Sequence, residues 1–120
     1  MKTILTVDDS PTIRQMTRLV LQGAGYKILE AVDALDGLTK LDGQDIHLIL
    51  TDVNMPKMDG FEFTRRIRAN PNYKFVPVVM LTTESESDKR QLGKSAGATA
   101  WIVKPFDQDQ LLGVVKKVIR

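Results

Sequence analysis

Cysteine is absent from this 120-residue chain, which rules out disulfides and thiolate metal centres. Long apolar runs are also missing. No stretch approaches the roughly 18 to 20 residues of a membrane span. Met1-Lys2-Thr3 leads directly into a short apolar run, without the charged, apolar and cleavage regions of a signal peptide, so a cytoplasmic protein is expected. There is no Pro/Gly/Ser-rich linker and no low-complexity tract, so residues 1–120 read as a single domain. An excess of one charge sign is lacking too. The net charge is +2, and only Arg65-Arg66 and Lys116-Lys117 are adjacent cations. These are solvated helix faces rather than a nucleic-acid footprint, and no nucleic-acid or membrane partner is expected.

What is present is an alternation. Apolar runs at Ile4–Val7, Leu48–Leu50 and Val78–Leu81 have the continuous character of strands buried on both faces. Lys27–Val32 and Thr99–Val103 are more mixed and suit edge strands. Helical patterns fall between them. Ser10-Pro11 is an N-cap followed by proline at the first helical position. Ile13, Met16, Thr17, Val20 and Leu21 then keep helical spacing, with a stop at Gly23 or Gly25. A second helix runs from Ala34 to about Leu41, capped by Asp33, although Gly37 lowers its propensity by about 1 kcal/mol. A third starts near Gly60 and ends at Asn70-Pro71. A fourth starts near Ser85, where Ser85 and Asp88 match a capping box. The fifth opens on Asp107-x-x-Gln110, with an apolar stripe of Leu111, Leu112, Val115, Val118 and Ile119. Five βα units of this kind predict an α/β protein with a doubly wound parallel sheet and helices on both faces.

In such a sheet the C-terminal strand ends lie along one edge, where sites form. Asp8 and Asp9 follow the first run, Asp52 the third, Thr82 the fourth and Lys104 the fifth. One aspartate after a strand is ordinary turn chemistry. Three converging ones repel by about 4 kcal/mol per pair at an effective dielectric near 20. Carboxylates without nearby His or Cys point to Mg²⁺ or Mn²⁺ as the neutralising ion. A carboxylate can also act as a nucleophile toward phosphorus, forming an acyl phosphate. Asp52, on a middle strand, is the best placed, and Lys104 would neutralise the phosphoryl oxygens. A lone Lys before Pro, or a lone strand-end Thr, is weak evidence; the order and combination carry the reading.

Asp8-Asp9, Asp52 with Val53-Asn54-Met55-Pro56 and Asp59-Gly60, then Thr82, then Lys104-Pro105-Phe106, resemble the full signature of bacterial two-component response-regulator receiver domains. The chain is most similar to the single-domain chemotaxis members. The resemblance implies a five-stranded flavodoxin-like sheet in strand order 2-1-3-4-5. Asp52 would be the phosphoacceptor. Asp9, Asp52 and the backbone carbonyl of Asn54 would hold Mg²⁺, with Asp8 acting through water. Lys104 would contact the phosphoryl group, Thr82 would move to hydrogen-bond it, and the Lys104-Pro105 peptide would be cis. The protein would be no turnover enzyme but a signalling phosphoacceptor, assisting its own phosphorylation and dephosphorylation. Its partners would be a CheA-like histidine kinase, a flagellar motor switch protein or other target, and a phosphatase. A monomer is expected.

Trp101 occupies the position of the family's switch aromatic, usually Tyr or Phe. The expected output surface is helix 4, strand 5 and helix 5, with Lys89, Arg90, Lys94, Trp101 and Lys116 as contacts, and the loop from Thr83 to Ser87 should reorganise on phosphorylation. A charge-assisted hydrogen bond from Thr82 contributes about 1.5–3 kcal/mol, whereas switching from 1:99 to 99:1 needs about 5.5 kcal/mol. Phosphorylation alone should therefore switch the domain only in part, leaving a partner to complete it. His47 precedes strand 3 and belongs at the opposite edge. Met16, Met55, Met58 and Met80 read as packing. Glu84 and Asn54 flank the site, where the resemblance implies an influence on dephosphorylation. Three rivals are an aspartyl-nucleophile phosphohydrolase, a flavodoxin-like nucleotide-binding module and a single-domain phosphorelay carrier. The first is disfavoured because Asn54 stands where a second aspartate would transfer a proton. The second is disfavoured because Asp8-Asp9 repels an anion.

Overall fold

In the computed structural model the chain is described at residues 1–83 and 87–119, with side chains at all of these except 87–90. The elements alternate as expected: β1 (Thr3–Val7), α1 (Pro11–Gly23), β2 (Lys27–Ala31), α2 (Ala34–Lys40), β3 (Leu48–Asp52), α3 (Gly60–Ala69), β4 (Val78–Thr82), α4 (Ser87–Ala96), β5 (Ala100–Val103) and α5 (Gln108–Val118). The strands form one parallel sheet in the order β2-β1-β3-β4-β5. Lys27–Ala31 and Ala100–Val103 are its edges, in line with their mixed composition. The fully buried β3 and β4 lie inside it.

Strand alternation sorts the core into two layers. Ile4, Leu48, Leu50, Val79, Leu81 and Ile102 pack with Leu21 of α1 and Leu111 and Val115 of α5. Leu5, Val7, Ile49 and Val78 face the other way, onto Ala34 of α2 and Phe63 and Ile67 of α3. Val53, Phe61, Met80 and Ala96 continue that second layer under α4. The helices thus divide as α1 and α5 on one face and α2, α3 and α4 on the other.

The caps follow the sequence. Ser10 Oγ accepts from the Ile13 amide, Asp33 caps α2 through Asp36, and Asp59 caps α3 through Glu62. Asp107 and Gln110 form the reciprocal capping box. The capping role of Ser85 falls on a residue outside the described ones. Several ends differ by a residue or two from the expected limits; among them, Asp52 closes β3 as its last residue, and Ile119 caps α5 rather than extending its stripe. Gly37 is explained by packing. A Cβ there would lie 2.9 Å from the ring of Phe63, so the residue that weakens α2 as a helix lets it approach α3. His47 lies at the edge opposite the strand C-termini, where its Nδ1 accepts from the Thr3 amide at 3.0 Å. No helix of the described residues is long and apolar enough to cross a membrane.

Candidate functional site

The order β2-β1-β3 places the reversal of winding between β1 and β3, where an open α/β sheet leaves a crevice beyond the strand ends. Asp8 emerges there from β1 and is 3% exposed. Its amide donates to the Ala31 carbonyl at 3.2 Å. Its Oδ1 accepts from the Ser10 amide at 2.8 Å and its Oδ2 from Lys104 Nζ at 3.2 Å. Asp9 is exposed, and its carboxylate makes no hydrogen bond or ion pair among the described residues.

Asp52 ends β3 and is buried. Its Oδ1 accepts from the Val53 amide at 2.9 Å and lies 3.4 Å from Lys104 Nζ. Both contacts fall on one oxygen, so Oδ2 is left without a donor among the described residues. Burial pushes the Asp52 carboxyl above the ordinary carboxylate range; Lys104 opposes that shift and the Asp8 charge adds to it. Burial and the Asp8 charge disfavour the ionised form, and a further cation at the site would favour it.

The site depends on close backbone packing beneath Asp52. The Gly60 amide donates to the Val53 carbonyl at 2.9 Å. A Cβ on Gly60 would fall 2.4 Å from the Asp52 carbonyl oxygen, a distance no side chain can hold. Between them the loop turns through Lys57, which takes a left-handed φ of 71°. On the far side, the Lys104 amide donates to the Thr82 carbonyl at 2.6 Å, tying the β5–α5 loop to the end of β4. The Lys104-Pro105 peptide is cis, as the resemblance implied. Thr82, 1% exposed, stands on the same edge one residue beyond Leu81, the partner of Asp52 in the sheet.

Asp8, Asp9 and Asp52 each bring a ligand oxygen within 4.8 Å of the others. Mg²⁺ binds oxygen at about 2.0–2.1 Å, so opposed ligands stand about 4 Å apart. A small closure, or a water on one carboxylate, brings the set into range. The donors are hard oxygens without thiolate or imidazole, and they fit that ion. Asn54 is exposed in the loop after β3, and no donor among the described residues reaches its carbonyl. It is therefore open as a further ligand.

Trp101 reaches away from this cluster. Its sheet partner is Met80. Its indole stacks on Phe61, with ring centres 6.5 Å apart at 22°. Above it lies Gly93 of α4, whose Cβ would meet the ring at 2.9 Å. The indole thus fits beneath α4 because residue 93 has no side chain. Its Nε1 is buried and has no hydrogen-bond partner among the described residues. Beside it Lys94, Ala98, Thr99, Ala100 and Trp101 line a groove of about 250 Å³. Lys94 and Lys116 are exposed, whereas Glu84 and the side chains of Lys89 and Arg90 lie outside what is described, as does most of the loop from Thr83 to Ser87.

The sequence-predicted acids and lysine are therefore brought together, and Thr82 and Asn54 stand at the same end of the sheet. Sequence reasoning missed Arg14, whose guanidinium donates to the Asp8 carbonyl at 2.5 Å; a basic residue one turn into an exposed helix carries no signal of that contact. It also missed Gly93, for which a glycine in mid-helix was the available clue.

Known proteins agree with this geometry. A sequence profile described as response regulator receiver domain matches residues 4–116. The solved structure of Vibrio cholerae chemotaxis protein CheY4 superposes with a TM-score of 0.95 at 47% identity, covering 98% of each chain. Chemotaxis protein CheY1 of Helicobacter pylori is 37% identical over 86% of this chain and 85% of its own. The receiver domain of sensor histidine kinase PA1611 from Pseudomonas aeruginosa, with a magnesium ion coordinated in its active-site cleft, is 28% identical at a TM-score of 0.90, covering 98% of this chain and 96% of that one. Of several longer curated relatives the chain spans only 13 to 52%. From profile, fold and site alike, the chain belongs to the family of response regulator receiver domains.

Proposed function

We propose that Asp52 accepts a phosphoryl group from a histidine kinase in a Mg²⁺-dependent reaction, and that the resulting change at α4, β5 and α5 recruits a target in chemotaxis. The observation that carries the chemistry is the asymmetry of Asp52. One oxygen is held by Val53 and faces Lys104 at 3.4 Å, while the other is unengaged among the described residues. The unengaged oxygen attacks phosphorus, the P–N bond to the donor imidazole breaks, and an acyl phosphate forms. The leaving imidazole keeps the electron pair and takes up a proton. Lys104 neutralises the added negative charge, and Asp8 holds the ammonium in place at 3.2 Å. Asp9, Asp52 and the Asn54 carbonyl, with Asp8 through water, would hold Mg²⁺, which would supply charge neutralisation for the phosphoryl group. Thr82 moves toward the phosphoryl group, and Trp101 follows as the switch side chain. The domain is a stoichiometric acceptor rather than a turnover phosphatase, because Asn54 offers no acid two residues past the nucleophile.

The chemotaxis assignment is supported by the likeness to CheY4 and CheY1, both chemotaxis proteins. The target, a flagellar motor switch protein, would approach the groove beside Lys94 and Trp101. Mass spectrometry after incubation with acetyl phosphate and Mg²⁺ tests the chemistry. Wild type should gain one phosphoryl group, while chelation of the metal or Asp52→Asn should abolish the gain. Modification of the Asn variant, or none in wild type, refutes the assignment.

A further inference from the structure

The ligand with the least support in the site is Asp9. Asp8 is held by its amide, both carboxylate oxygens and its carbonyl. Asp9 is exposed and its carboxylate is unengaged among the described residues. Its direction is therefore set by its backbone, and the peptide plane that carries it is the one joining Asp8 to Asp9. That plane is gripped at one point. Arg14 Nη1 donates to the Asp8 carbonyl oxygen at 2.5 Å, from a side chain that is 16% exposed. Arg14 is itself braced against the edge strand β2. Glu30 of β2 lies 3.9 Å from Arg14 Nε and accepts from Arg18 at 2.8 Å.

We infer that Arg14 is a positioning residue for the divalent-cation site, fixing the Asp8–Asp9 peptide so that the Asp9 carboxylate is presented to the ion. The inference rests on the metal-dependent reading above. It has a sign that distinguishes it from simple electrostatics. Arg14 carries the same charge sign as the ion, so as a bystander it opposes cation binding, and its removal should tighten the site. As a positioning group it favours binding, and its removal should weaken the site, in the way that loss of an outer-sphere partner weakens metal affinity by about 10-fold or more. Lysine separates the two further. It keeps the charge but lacks the planar fork that reaches the carbonyl and Glu30 together.

The probe is Mn²⁺, titrated into wild type, Arg14→Met and Arg14→Lys and followed by the electron paramagnetic resonance of the free ion. Urea unfolding is run on the same samples, and the Asp9 amide ¹⁵N shift is read in metal-free protein. Both variants should bind Mn²⁺ about 10-fold more weakly than wild type and move the Asp9 amide resonance, because the hydrogen bond to the preceding carbonyl is lost. Should Arg14→Met not fold, Arg14→Lys carries the same comparison. Equal or tighter binding in a folded variant, or an unmoved Asp9 amide, overturns the positioning role while leaving the metal reading intact. Failure of wild type itself to bind Mn²⁺ overturns both.

Discussion

Alanine substitution at two helical glycines should have opposite effects. Gly113 lies mid-way along α5 and is exposed, with nothing within 4 Å of where a Cβ would stand. Gly113→Ala should therefore return the full helix-propensity gain of about 0.8–1.0 kcal/mol. Gly93 occupies an equally interior position in α4. There the new methyl would lie 2.9 Å from the Trp101 ring and 3.2 Å from Met80 sulfur. Relieving it means displacing a rigid indole already stacked on Phe61, and overpacking of this kind costs about 1–3 kcal/mol. The propensity gain is common to both sites and cancels in the comparison. The two variants should then differ by about 1–3 kcal/mol, with Gly93→Ala the less stable. Urea unfolding measures the difference. The chain's single tryptophan supplies a second readout, since an indole pushed from beneath α4 should emit at longer wavelength in the folded state. In a Trp101→Phe background the penalty at residue 93 should shrink, giving a coupling of about 0.5–3 kcal/mol in the double-mutant cycle. Equal stabilisation by both alanines, with unchanged emission, would refute the assigned position of the indole.

Two more predictions follow from the site. Asp52 has a folded-state acidity weakened mainly by burial, so its ionisation opposes folding. That opposition is absent below the ordinary carboxylate range, develops as pH rises from the ordinary value toward the raised folded one, and is complete above it. Asp52→Asn should thus be more stable than metal-free wild type at neutral pH, with the advantage fading in acid and reduced by Mg²⁺; thermal unfolding across pH, with and without the ion, checks it. Lys57 holds a left-handed φ of 71°, a conformation costing a non-glycine residue about 1–2 kcal/mol. Lys57→Gly should recover part of this, less the larger chain entropy of glycine in the unfolded state, as a rise in the urea midpoint at unchanged m.

The sheet was legible because its signals are local. Ile4–Val7, Leu48–Leu50 and Val78–Leu81 alternate with capped helical patterns, and that alternation permits few topologies. The acids and Lys104 were legible through their places at strand ends, since a parallel sheet carries all such ends to one edge. What escaped were contacts made between different elements, which no pattern within one element displays. Arg14 reads as an ordinary helix-surface cation until the Asp8 carbonyl is seen within its reach. Gly37 reads as a helix defect and Gly93 went unread, because the rings of Phe63 and Trp101 that need their space arrive from other elements. Nor does the sequence show what faces Trp101, where the family usually carries Tyr or Phe. The absent side chain at residue 93 supplies the room.

Asp8 and Lys104 meet across 96 residues of chain, and Asp52 joins them from a third strand. No short peptide contains the proposed acceptor, its counter-charge and the proposed metal ligands together. On the proposed chemistry, reactivity toward a phosphoryl donor would be a property of the intact tertiary structure alone: a nascent, nicked or denatured molecule would be chemically mute, and could not draw signal or compete for the donor. Any message written on the aspartate also certifies that the molecule bearing it is folded.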